Sequence, residues 1–81
     1  MTINVRQVLL AANAILDKGD RYGSEYFYRG LFASTDFDGY TVVLRDNDVQ
    51  IKVFFHQKYD LKFESSDALD KFQDKVSKLT H

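Results

Sequence analysis

In an 81-residue chain without cysteine, the side chain best suited to acid–base chemistry near neutral pH is the imidazole of His56, the single internal histidine. A hairpin between the flanking strands would bring it across from Phe37 and close to Asp36 and Asp38, the makings of an Asp–His acid–base pair. Nothing else of a catalytic apparatus accompanies it. Cysteine is absent, the serines fall in loop, cap and helix positions, and no Gly-rich elbow or phosphate loop is present. The expectation is a non-enzymatic chain in which His56 is a strand-end histidine, partly exposed and hydrogen-bonded locally.

Two acidic clusters look at first like cation loops: Asp36-Phe37-Asp38-Gly39 and Asp46-Asn47-Asp48. Neither continues into the ligand spacing or the distal Glu of a calcium-binding loop. Asp and Asn accept the backbone angles of turns, and the two clusters should lie at opposite ends of one hairpin, too far apart to share an ion. No metal and no cofactor is expected.

A third pattern interleaves bases and rings. Tyr28, Arg29, Arg45, Lys52, Phe54 and His56 could share one sheet face, and aromatic and basic side chains on an open sheet are how single-stranded nucleic acid is stacked and held. Charge argues against that partner. Eleven basic residues face twelve acidic ones, a net charge of −1, whereas phosphate binding draws on a basic field. Asp36, Asp38, Asp46 and Asp48 would also rim that sheet.

The elements that must position these residues follow from periodicity. Asn4, three residues before Gln7, is a variant capping box, and Val5, Val8, Leu9, Ala12, Ile15 and Leu16 form one helical stripe. A helix is predicted over Val5–Lys18, with Gly19 as its left-handed C′ residue. Gly19–Glu25 reads as a loop. "YFYRGLFA", Tyr26 to Ala33, reads as one strand with Tyr26, Tyr28 and Phe32 on one face and Phe27, Leu31 and Ala33 on the other; Gly30 then marks a bulge or a close approach. Ser34–Gly39 reads as the next turn.

"YTVVL" and "VQIKVFF" flank Asp46-Asn47-Asp48 as a hairpin. A two-residue turn at Asp46-Asn47 pairs Leu44 with Val49, Val42 with Ile51 and Tyr40 with Val53. A turn one residue later keeps the same face and shifts the partners by two. Either way Val49, Ile51, Val53 and Phe55 face the core, and Gln50, Lys52, Phe54 and His56 face away. Tyr59, Leu61 and Phe63 alternate with Lys58, Asp60, Lys62 and Glu64 in a last strand with one apolar and one charged face. Ser65-Ser66-Asp67 then provides an N-cap and a first-turn acid for a second helix carrying Leu69, Phe72, Val76 and Leu79.

The predicted fold is α+β, in the order α-β-β-β-β-α: a four-stranded antiparallel meander with the N-terminal and C-terminal helices packed on one face, residues 1–81 forming a single domain. Such a chain buries only about 60% of its unfolded surface. No apolar run approaches the ~18 residues of a membrane span. The lack of cysteine and of a secretory segment is consistent with the cytoplasm.

"DFDGYTV" and "VFFHQKY" resemble a run found in a family of small gammaproteobacterial proteins of unknown function. The resemblance covers the central segment and implies a bacterial, cytoplasmic protein without assigning an activity or a site. The functional expectation therefore rests on the residues: a protein-interaction or self-associating module, a homodimer being one form. Its surface would comprise Tyr28, Val43, Arg45, Lys52, Phe54 and His56, with Phe54 filling an intermolecular core and Phe55 the intramolecular one. A single-stranded nucleic-acid platform is the first alternative and a His56-dependent enzyme the second.

Overall fold

Both helices begin where a side chain replaces a missing backbone partner. Asn4 accepts from the Gln7 N–H and Ser65 from the Ala68 N–H, each at 3.1 Å, which satisfies donors that the first helical turn leaves free. The structure, a computed structural model, describes residues 4–36, 41–54 and 58–80. Among these the elements are α1 (Val5–Lys18), β1 (Asp20–Tyr22), β2 (Glu25–Tyr28), β3 (Leu31–Thr35), β4 (Val42–Arg45), β5 (Val49–Val53), β6 (Tyr59–Phe63) and α2 (Ser66–Leu79). The strands form one antiparallel meander in chain order.

Among the described residues the sheet thus has six strands rather than the expected four. The stretch read as one strand is a hairpin, because Arg29 and Gly30 both take positive φ, 52° and 86°, as a two-residue type I′ turn requires. Gly30 marks that turn and not a bulge. The stretch read as a loop supplies β1, whose Asp20 and Arg21 pair with Phe27 and Tyr26. Gly19 is extended (φ −77°) rather than left-handed; a Cβ there would stand 2.6 Å from the Ile15 carbonyl oxygen and 2.8 Å from that of Phe27. Its glycine serves close approach.

The β4–β5 hairpin takes the later of the two foreseen turns, pairing Leu44 with Ile51 and Val42 with Val53. Asp46 explains the choice. Its Oδ1 accepts from the N–H groups of Asp48 and Val49, both at 2.8 Å, and its Oδ2 accepts from Lys75 Nζ at 3.1 Å. One carboxylate closes the turn and ties it to α2. Ser34 and Thr35 belong to β3, not to a turn; residues 37–40 lie outside the described residues, as do Phe55 and His56.

Both helices cover one sheet face. Val8, Ala11, Ala12 and Ile15 of α1 and Leu69, Phe72 and Val76 of α2 close over Leu31, Ala33, Leu44, Val49, Ile51 and Val53, with α1 above β2, β3 and β4 and α2 above β5 and β6. Among the described residues no helix covers the opposite face.

Candidate functional site on the open sheet face

Strand register decides which side chains reach the open face. Paired residues of an antiparallel sheet share a face, so one row across it reads Asp20, Phe27, Phe32, Arg45, Gln50, Lys62. The neighbouring row contains Ser34, Val43, Lys52 and Asp60, and Tyr22 pairs with Glu25 at the near margin.

Three rings gather in the first part of this face. Phe27 and Phe32 lie 4.7 Å apart between centroids, and Tyr22 meets Phe27 edge-on at 6.4 Å. They line a shallow apolar hollow of about 290 Å³. Tyr22 is 61% exposed, so a hydrophobic surface stands open at a site where monomers usually display polar groups.

Arg45 closes the hollow on its β4 side. Its guanidinium stands 4.3 Å from the Phe32 ring centroid, within reach of a cation–π attraction. Its Nε and Nη2 donate to the two carboxylate oxygens of Glu25, each at 2.6 Å, the fork-to-fork geometry of a bidentate pair. These hydrogen bonds hold the Glu25 carboxyl below its ordinary value against the opposing pull of desolvation, and Arg45 is raised in turn. Neither charge is available to a ligand without breaking the pair.

Of the residues expected to form the interaction surface, Val43, Arg45 and Lys52 do share the open face, with Val43 directly opposite Lys52. Tyr28 does not. It pairs with Leu31 and packs against the core on the helix side, lining a small cleft with Ala14, Lys18, Arg29, Lys78 and Leu79, while Arg29 sits in the β2–β3 turn. The missed turn is the cause, since a reversal at Arg29-Gly30 puts Tyr26, Tyr28, Leu31 and Ala33 on one face and Phe27 and Phe32 on the other. Phe54 is 39% exposed and follows β5 on the open side, its N–H donating to the Lys58 carbonyl. Sheet spacings place it roughly 16 Å from Phe32, beyond Val43 and Lys52. His56 lies outside the described residues.

Sequence reading missed Tyr22, Glu25, Phe27 and Phe32. The available signal was the distance of Phe27 and Phe32 from Arg29-Gly30, which sets them opposite each other once a two-residue turn is admitted. Among the described residues no three metal-ligating side chains gather, and no helix is long and apolar enough to cross a membrane.

Residues 3–81, nearly the whole chain and not the central segment alone, match one protein family. The chain belongs to DUF3081, a family of unknown function. No curated protein and no solved structure matches the chain. For this DUF3081 protein the open face must therefore be read from its own chemistry.

Proposed function

We propose that this DUF3081 protein is a non-enzymatic interaction module whose open sheet face receives a protein partner. The observation that carries the reading is the cluster of exposed Tyr22 with half-buried Phe27 and Phe32, bordered by Arg45. Aromatic residues and arginine are enriched at the centres of protein interfaces. The partner would place apolar side chains in the hollow. Val43, Lys52 and Phe54 extend the surface toward the other end of β5, so its centre lies nearer β1–β3 than Phe54.

Charge supports a protein over single-stranded nucleic acid. The face carries Asp20, Glu25 and Asp60 against Arg45, Lys52 and Lys62, and Glu25 already occupies Arg45. A phosphate backbone would meet no net positive field.

A photo-crosslinking side chain at Tyr22, in cells of the native host, should yield one discrete protein adduct that Phe27→Ser abolishes. The same probe at Asn13, exposed on α1, should not yield it. Absence of any protein adduct, together with salt-sensitive binding of an oligonucleotide to the purified chain, would hand the face to nucleic acid.

A further inference from the structure

Strand β6 ends the sheet, and among the described residues no strand pairs with its outer side. Which of its backbone groups are free follows from its inner ladder. The Phe54 N–H donates to the Lys58 carbonyl at 2.6 Å and the Glu64 N–H to the Asp48 carbonyl at 3.0 Å, and bonded pairs recur at every second residue of an antiparallel ladder. Residues 58, 60, 62 and 64 therefore bond toward β5. The N–H and C=O groups of Tyr59, Leu61 and Phe63 point outward, beside two aromatic side chains that are 44% and 49% exposed.

The chain along this margin reads Lys58-Tyr59-Asp60-Leu61-Lys62-Phe63-Glu64, and it complements its own reversal. We propose that β6 pairs antiparallel with β6 of a second copy of this chain across a two-fold axis at Leu61, joining two sheets into one. Leu61 then faces its counterpart, and Tyr59 faces Phe63 on the helix side. Every outward N–H and C=O finds a partner, because the residues with free groups are the ones that pair.

Charge selects this register over its two neighbours, which of the remaining registers overlap most of the strand. With Leu61 on the axis, Asp60 meets the other copy's Lys62 and Lys58 meets its Glu64. A slip of two residues one way sets Asp60 against Asp60 and Lys58 against Lys62. A slip the other way sets Lys62 against Lys62 and Asp60 against Glu64. Opposite charges across a strand pair stabilise it and like charges oppose it. Lysines on an edge strand commonly guard against pairing, but here acids stand at the positions a two-fold exchanges with them, which cancels the guard for a second copy of this chain alone.

This inference concerns a different surface from the aromatic face and stands independently of it. Light scattering of the full chain over a concentration series should show mass rising from one chain to two. Asp60→Lys and Lys62→Asp each place like charges opposite one another in both symmetry-related pairs, and each should weaken dimerisation by about tenfold or more. An equal mixture of the two variants restores opposite charges at every exchanged position and should recover the wild-type affinity, as should one chain carrying both substitutions. Asp60→Lys also stands beside Lys52 within its own sheet, whereas Lys62→Asp stands beside Gln50; the recovery in the mixture is a gain that partial unfolding cannot imitate. A wild type that stays monomeric up to about 1 mM, single variants that dimerise as well as the wild type, or a mixture that fails to recover overturns the proposal. Tyr22→Ser should leave the mass curve unchanged; loss of the dimer there would move self-association to the aromatic face and equally overturn edge pairing.

Discussion

The two margins of the sheet spend their aromatic side chains in opposite directions. At β1 the strand is three residues long, each of them exposed, and Tyr22 turns to the open face, where it joins Phe27 and Phe32. At β6 the strand is five residues long; Tyr59, Leu61 and Phe63 turn to the helix side, and Asp60 and Lys62 to the open face. The first margin has apolar surface to offer face-on. The second has free backbone groups flanked by alternating charge, which suits pairing edge-on. A short strand limits what an edge can template, so the same sheet presents one margin fit for a foreign surface and another fit for its own copy.

Both margins rest on one core, and the largest expected effect tests that they do. Phe72 of α2 is fully buried beneath the β5–β6 half, and Phe72→Ala should cost about 3–5 kcal/mol through the cavity it leaves. Denaturant unfolding measures the loss. Because one cluster of buried residues joins both helices to the sheet, amides of β2–β3 and of β5–β6 should lose hydrogen-exchange protection together. If protection falls in β5–β6 alone, the margins belong to separately unfolding units and their difference is one of stability as well as of chemistry.

A middle-sized effect is expected at Asp46, which fixes the β4–β5 turn between the two halves. Asp46→Ala strands the N–H groups of Asp48 and Val49 and releases Lys75, at a cost of about 1–3 kcal/mol. Asp46→Asn keeps an oxygen acceptor for the turn and gives up the ion pair, so it should cost less, by about 1 kcal/mol or under relative to wild type. Thermal unfolding of the two variants separates turn from tether. Equal losses would show that the tie to α2, not the turn, sets the register of the β6 half.

The helices and the β4–β6 half were legible because several signals agreed there. Asn4 and Ser65 precede clean apolar stripes, and in β5 the alternation of Val49, Ile51 and Val53 with Gln50 and Lys52 matches a face buried on one side only. Asp46-Asn47-Asp48 has the chemistry of a turn, and both registers it allows keep the same residues inside. The β1–β3 half gave no such agreement. Arginine rarely takes positive φ, so Arg29-Gly30 lacks the Asn-Gly or Asp-Gly form that announces a type I′ turn. Asp20-Arg21-Tyr22 has no apolar alternation, being a strand by virtue of its partner. A missed two-residue turn inverts the facing of the residues before it relative to those after it, which is why Tyr28 was expected outside with Phe32 and the Phe27–Phe32 pair was split. The charge symmetry of Lys58–Glu64 is written in the sequence, but it acquires meaning only once β6 is known to be an edge and its free groups are known to be those of Tyr59, Leu61 and Phe63.

The smallest expected effect lies in the ion pair that borders the aromatic margin. Glu25 and Arg45 are partly exposed, so a double-mutant cycle with Glu25→Gln and Arg45→Met should return a coupling of about 0.5–1 kcal/mol. Arg45→Met alone should cost more than Glu25→Gln, since it also removes the cation from the Phe32 ring. The coupling has a signature in pH. Hydrogen bonding to Arg45 holds the Glu25 carboxyl below its ordinary value, so the stability it contributes is complete above the unfolded value of about 4.3 and fades as the pH falls through the lower value held in the fold. The difference between wild type and Glu25→Gln, followed by denaturant unfolding, should be constant near neutrality and shrink only on the acid side. A difference that stays level from about pH 7 to about pH 2 would show that Glu25 acts there by packing alone. The border of the hollow would then be held by the Arg45–Phe32 contact, and the aromatic margin, like β6, would owe its shape to side-chain packing across strands rather than to a fixed charge pair.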